Sequence, residues 1–134
     1  MVLIREVGPD DALAVLGATP PGDGVERAIW DRWSRDGKLV VFVAEHGRAA
    51  VGVALAESLP NLVHVLALEG NAATCGLLLE RLVRLAGERD VSVRCPDDHD
   101  ALRRVLGGTG FARQDRDDSG KRPSDLYCLY QNED

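Results

Sequence analysis

The sequence has 134 residues, of which 45% are hydrophobic and 28% are charged. This length predicts one domain over residues 1–134, and this composition excludes a disordered or fibrous chain. The formal net charge of −6 argues against a nucleic acid as a general partner. No segment is apolar for long enough to span a membrane, and the N-terminus lacks a signal-peptide pattern. The three cysteines are isolated from one another, so we expect a cytoplasmic protein without a disulfide framework.

The first 37 residues predict a strand followed by two helices. Residues Val2–Val7 alternate, and Gly8-Pro9 ends this strand before a helix that begins at Asp10. A loop over residues 18–24 leads to a second helix, which ends at Asp36-Gly37.

Three consecutive strands are predicted next, over residues 39–44, 49–56 and 62–68. His46-Gly47-Arg48 forms a short turn between the first two strands. The third strand is almost wholly apolar, which predicts a central position with both faces covered.

The second half of the chain predicts alternating helices and strands. Asn71 is a good N-cap for an amphipathic helix to about Gly87, and Asp97 or Asp98 could cap a second helix that runs through Leu106. Strands are predicted over residues 91–95, 111–115 and 125–131. The order β-α-α-β-β-β-α-β-α-β-β predicts an α/β (α+β) domain with a mixed, mostly antiparallel central sheet and helices on both faces.

This element order, in a chain of this length, resembles the GNAT superfamily of acyl-CoA N-acyltransferases over essentially the whole chain. Residues Ile4–Ala12 (IREVGPDDA) are similar to the family's first strand and helix start. Residues Ala101–Phe111 (ALRRVLGGTGF) are similar to its late helix, which ends in Gly-Phe before the sixth strand. The resemblance implies direct transfer of an acyl group from acetyl-CoA, or from another acyl-CoA, to an amine of a small molecule or protein.

The resemblance also implies a cofactor site. The fourth and fifth strands would part to admit the pantetheine, and Leu66, Ala67 and Leu68 would offer it backbone hydrogen bonds. In this family a Q/R-x-x-G-x-G/A motif before the third helix holds the pyrophosphate on backbone N–H groups. Alignment of the Leu78-Leu79 pair with the family's leucines places the motif on residues 70–75, where three positions depart from the pattern. The residues expected to hold the pyrophosphate are Gly70, Asn71, Ala72, Ala73, Thr74, Cys75 and Gly76.

Two residues are candidates for the base that deprotonates the amine. His64 interrupts the apolar fourth strand, where a polar side chain must find a partner or face a cleft. Glu57 ends the preceding strand, and its carboxylate could bind the amine or take its proton through water. A hydrogen-bonded structural histidine and a solvated strand-end acid are the alternatives for these two positions. Leu106 stands where many members of the family have the Tyr that acts as general acid.

The other titratable side chains predict no further site. The cysteines are interpreted as buried structural thiols, and His46 and His99 as exposed residues. Helix capping explains the acids between residues 97 and 100 better than a hard cation does, so no metal is expected. Two rival hypotheses remain open: a GNAT-like binding or dimerisation module that has lost catalysis, and an unrelated α/β binding domain. Homodimerisation stays open under each of them.

Overall fold

The computed structural model describes residues 1–8, 35–118 and 123–131. The helix predicted from Asp10, the loop over residues 18–24 and almost all of the second predicted helix lie outside the described residues. The same holds for the middle of the polar segment between the last two strands.

The described chain contains seven strands and two helices. The strands are β1 (Val2–Val7), β2 (Leu39–His46), β3 (Ala49–Ser58), β4 (Leu62–Glu69), β5 (Asp90–Pro96), β6 (Ala112–Asp117) and β7 (Ser124–Leu129). The helices are α1 (Ala72–Ala86) and α2 (Asp100–Gly108). All seven predicted strands are therefore confirmed, with ends that differ by at most two residues.

All the described strands form one sheet in the order β1-β2-β3-β4-β5-β7-β6. Strands β1 to β4 are antiparallel neighbours, whereas β4 and β5 are parallel. Strand β7 pairs antiparallel with both β5 and β6. The prediction of a mixed, mostly antiparallel sheet with the apolar β4 at its centre is confirmed.

Both described helices pack on the same side of the sheet, which we call the helix face. The core on this face joins leucines of both helices to the inward residues of β4 and β5, namely Leu78, Leu82, Leu102, Leu106, Val63, Val65, Val91 and Val93. The opposite side, which we call the reverse face, has its own buried cluster around Val41, Val43 and Leu55. A helix on the reverse face would have to come from outside the described residues.

Helix α1 begins at the predicted cap. The Asn71 side chain accepts the N–H of Thr74 at 2.9 Å, and its carbonyl accepts the N–H of Cys75 at 2.8 Å. Gly87 ends the helix with a φ of 64°, a backbone conformation that glycine adopts without strain.

The N-cap of α2 is His99, so the prediction of Asp97 or Asp98 in this role is wrong. The Nδ1 of His99 accepts the N–H of Leu102 at 3.4 Å. Strand β5 continues through Pro96, which moves the helix start beyond both aspartates. Asp97 instead accepts two bonds from Arg116 at 2.6 and 2.9 Å, and these bonds hold the pKa of its carboxyl below the usual value.

Leu82 tests the packing of α1 on the sheet. Its side chain is fully buried, so Leu82→Ala should lower the free energy of unfolding by about 2–5 kcal/mol. Leu85 of the same helix is 36% exposed, which makes Leu85→Ala the matched control, with an expected loss of about 1 kcal/mol or less. Urea unfolding followed by circular dichroism gives both values, and equal losses would contradict this orientation of the helix.

Candidate active site

Strands β4 and β5 pair over only four residues. Their parallel register runs from Leu62 opposite Asp90 to Val65 opposite Val93. Beyond this point β4 stays with β3 and β5 stays with β7. A bulge in β4 at Leu66 lies where the pairing ends. The pairing of the two strands therefore ends where the resemblance implies an opening between them.

A row of polar side chains crosses the reverse face beside this opening. Glu57 of β3 lies opposite His64 of β4, and His64 lies opposite Ser92 of β5. Side chains of register partners are close neighbours, with Cβ atoms about 5 Å apart. The structure thus brings the two predicted base candidates together and adds Ser92. Alternation of polar Ser92 with Val91 and Val93 was the signal that could have placed Ser92 on this face.

The His64 ring is neutral at neutral pH. Its Nδ1 lies 2.6 Å from the Ser92 hydroxyl. Burial, and then the positive charge of Arg94, lower the pKa of His64 below its ordinary value of 6.5. When Nδ1 carries the hydrogen and donates it to Ser92, the Nε2 lone pair is free to take a proton. The bond to Ser92 also satisfies the structural alternative for His64, in which the ring joins β4 to β5.

The connection between β4 and α1 consists of Gly70 and Asn71 alone. The Thr74 side chain is buried against it. A Cβ atom on Gly70 would lie 3.0 Å from the Thr74 methyl group, and one on Gly52 would lie 2.5 Å from it. Two glycines therefore make the space that Thr74 fills, and a larger residue at Gly52 would displace it.

The first turn of α1 leaves two backbone N–H groups for a ligand. Those of Thr74 and Cys75 are bonded to Asn71, and both side chains are buried. Those of Ala72 and Ala73 have no acceptor within the described residues, as expected for a helix start. Ala73 is exposed, and the first turn carries no acidic residue. The positive end of the helix dipole at these two amides fits a phosphate group.

The remaining residues predicted to bind the cofactor are spread along the same chain segment. Leu66 is half-buried at the bulge, whereas Ala67 and Leu68 are buried. Gly76 lies further along α1 and is half-buried.

His99 reaches from the start of α2 to β4. Its Nε2 donates to the carbonyl oxygen of Leu68 at 2.7 Å and lies 3.6 Å from the Glu69 carboxylate. Because Nδ1 accepts the Leu102 N–H, the ring hydrogen belongs on Nε2. The side chain is only 10% exposed, so the prediction of an exposed His99 is wrong: the cap position turns the ring towards β4. One of the β4 carbonyls expected to bind the pantetheine is already occupied.

The cysteines do not offer a thiolate. Burial raises the pKa of Cys75 and of Cys95 to about 11, so both thiols are protonated at neutral pH. Cys75 is fully buried, and its sulfur donates to the Gly70 carbonyl at 3.4 Å. The interpretation of Cys75 as a structural thiol is supported.

The tyrosines of the last strand are placed away from His64. Tyr127 packs against the helix-face core, whereas His64 lies on the reverse face. Tyr130 follows the end of β7. Leu106, at the position of the family's general acid, is fully buried. None of these residues supplies an acid beside His64.

The described ranges contain no group of three or more His, Cys, Asp or Glu side chains placed to hold a metal ion. Neither of their helices is long and apolar enough to cross a membrane.

No family model matches the sequence, and no curated protein matches it. Solved structures do match the fold. An IAA acetyltransferase from Bacillus cereus superposes with a TM-score of 0.73 at 17% identity, over 96% of this chain and 99% of that one. The acetyl-CoA complex of NAA60 from Arabidopsis thaliana superposes with a TM-score of 0.72 at 13% identity, over 99% of this chain and 100% of that one. An N-acetyltransferase from Staphylococcus aureus superposes with a TM-score of 0.72 at 8% identity, over 98% of each chain.

These structures define the class of fold: a mixed sheet shared by acetyltransferases. A similar structure from Desulfovibrio desulfuricans, with a TM-score of 0.64 at 15% identity, carries the GNAT family name. This chain has the GNAT fold, and the resemblance stated from the sequence is confirmed at the level of the fold.

The lowered pKa of His64 makes stability depend on pH. The unfolded state, with a pKa near 6.5, binds more protons than the folded state, so this contribution is fully present above that value. It is lost as the pH falls towards the folded pKa. His64→Asn removes the titration, so the free energy of unfolding of the wild type relative to this variant should decrease from pH 7.5 to pH 5. Urea unfolding at a series of pH values measures the difference, and a constant difference would contradict the lowered pKa.

Proposed function

We propose that this chain is an N-acyltransferase that transfers an acyl group from acetyl-CoA, or another acyl-CoA, to an amine. The observation that most supports this is the row of Glu57, His64 and Ser92, which lies beside the opening between β4 and β5. The GNAT fold supports it further, since the compared structures are named as acetyltransferases. A single domain over residues 1–134, a cytoplasmic location and homodimerisation are proposals of the sequence alone.

In this proposal His64 removes the proton from the amine. An ammonium group has no lone pair, so it must lose a proton before its nitrogen forms the new N–C bond and the C–S bond breaks. A neutral imidazole with a free Nε2 can accept this proton. The bond between Nδ1 and Ser92 orients the ring. The neighbouring Glu57 carboxylate, which has no hydrogen-bond partner within the described residues, would attract the cationic amine.

The residues at the opening fit acetyl-CoA through fewer contacts than the resemblance implies. The bound cofactor would supply an activated acetyl thioester. Ala72 and Ala73 would donate their N–H groups to its phosphates, and Leu66 and Ala67 would border its pantetheine at the β4 bulge. Thr74 and Cys75 stay in the core.

A GNAT-like binding or dimerisation module without catalysis is the second candidate. Three observations favour it: the two-residue connection after β4, the Thr74 side chain packed against it, and the His99 bond to Leu68. Each of them restricts the predicted cofactor site. In this alternative the bond between His64 and Ser92 has only a structural role.

Calorimetric titration with acetyl-CoA separates these candidates. If the two free amides hold the pyrophosphate, we expect a dissociation constant in about the micromolar range. Ala73→Asp places a negative charge beside the phosphates and should weaken binding about tenfold or more. Ala73→Ser is the neutral control at the same position. Absence of heat at millimolar acetyl-CoA would reject the enzyme and leave the module.

Acyl transfer by His64 variants tests the base. His64→Ala should lower kcat about 100-fold or more and remove the rising alkaline limb of the pH–rate profile. The dissociation constant for acetyl-CoA should stay nearly unchanged. Glu57→Gln should mainly raise KM for a cationic amine.

His46, an exposed residue at the end of β2, provides the control. His46→Ala should leave kcat and the pH profile as in the wild type. If His64→Ala also leaves them unchanged while turnover is real, the assignment of the base is wrong.

A further inference from the structure

Arg94 is a cationic residue beside the opening. The proposed reaction assigns no role to it. It follows Ser92 by two residues in β5, so its side chain lies on the reverse face with those of Ser92 and His64. It is the first residue of β5 on this face beyond Val93, where the pairing with β4 ends. Its Cα atom is therefore about 7 Å along the strand from that of Ser92.

The contacts of Arg94 leave part of its guanidinium free. Its Nη1 donates to the Asp117 carboxylate at 3.3 Å and to the Ser124 hydroxyl at 3.0 Å. Its Nε and Nη2 make no hydrogen bond within the described residues, and 40% of the side chain is exposed. A guanidinium presents five N–H donors in a planar fork that matches a carboxylate. The free side of the fork can therefore hold a second anionic group.

We propose that the acceptor is an amine that also carries a carboxylate, and that Arg94 binds this carboxylate while the amine faces His64. This inference rests on the proposed function. Across the sheet, Glu57 lies on one side of His64 and Arg94 lies on the other side, with its guanidinium turned towards β7 and β6. This order of charges complements an ammonium and a carboxylate a few bonds apart, as in an amino acid.

Arg94 also ties β5 to the edge of the sheet, because Asp117 belongs to β6 and Ser124 to β7. A substitution of Arg94 could therefore act through the fold. Asp117→Asn is the matched control: it breaks the same ion pair but keeps the positive charge of Arg94. If Arg94 binds substrate, only the substitution of Arg94 should raise KM for the acceptor; if it only joins strands, the two variants should have similar effects.

Steady-state kinetics with paired acceptors tests the inference. Each pair consists of an amino acid and the amine that lacks only its carboxylate, such as phenylalanine with phenethylamine and lysine with cadaverine. The wild type should prefer the amino acid at least about tenfold in kcat/KM. Arg94→Gln should raise KM for the amino acid about tenfold to a hundredfold, with little change in kcat. It should leave KM for the plain amine unchanged.

The remaining variants decide between substrate binding and structure. Asp117→Asn should leave KM for the amino acid unchanged or lower it. Arg94→Lys keeps the charge without the fork and should restore part of the affinity. If Arg94→Gln does not fold, Arg94→Lys must still raise KM for the amino acid alone. An equal rise for both members of a pair, or equal effects of Arg94→Gln and Asp117→Asn, would overturn the inference.

Calorimetry with the amino acids, in the absence of acyl-CoA, separates this inference from the proposed function. Binding that depends on Arg94, without turnover of any acceptor, would reject the enzyme and keep the Arg94 site. Turnover of both acceptor classes, with no preference for the amino acid and no change of its KM in Arg94→Gln, would keep the enzyme and reject the inference. Absence of both binding and turnover with every amino acid would also reject it.

Discussion

The short parallel pairing of β4 with β5 determines where the rest of the candidate site lies. A parallel pair needs a crossover connection, and here α1 provides it, so the helix starts beside the carboxyl end of β4. Because the pairing ends at Val65, the backbone of β4 beyond Leu66 lacks a strand partner on one side. Backbone groups inside a protein must find hydrogen bonds elsewhere. His99 supplies one of them at Leu68, and the other groups border the opening in which we place the acyl carrier.

Close packing at the end of β4 both orders and restricts the predicted cofactor site. Thr74 fills the space above Gly52 and Gly70, where an added Cβ would meet it at 2.5 and 3.0 Å. This contact fixes the first turn of α1 against β3, so the amides of Ala72 and Ala73 hold their positions before any ligand arrives. The same contact removes Thr74 and Cys75 from a ligand's reach. The proposed cofactor site would therefore offer two backbone donors instead of the wider set that the resemblance implies.

The sequence was sufficient for the strands and for α1 because their signals are local. Alternation, β-branched runs and the spacing of Leu78, Leu79 and Leu82 need no knowledge of the rest of the chain. The residues that lie opposite each other on adjacent strands could not be predicted, because a register shift of one residue moves a side chain to the other face of the sheet. The bulge at Leu66 sets that register, and no sequence pattern indicated it. The prediction of the α2 N-cap was wrong for the same reason. Asp is a commoner N-cap residue than His, but the position of His99 depends on where β5 ends and on its bond to the distant Leu68 carbonyl of β4.

The proposed acceptor site would link binding of the acceptor to the strength of the base. Burial and the positive charge of Arg94 lower the pKa of His64 in the free protein, which keeps the ring unprotonated but makes it a weak base. A carboxylate bound at Arg94 would offset part of this positive charge, and the pKa of His64 would then rise towards its ordinary value. A base is most effective when its pKa lies near the working pH. An acceptor that carries the acidic group would therefore strengthen the base that deprotonates it, whereas a plain amine bound at the same place would not.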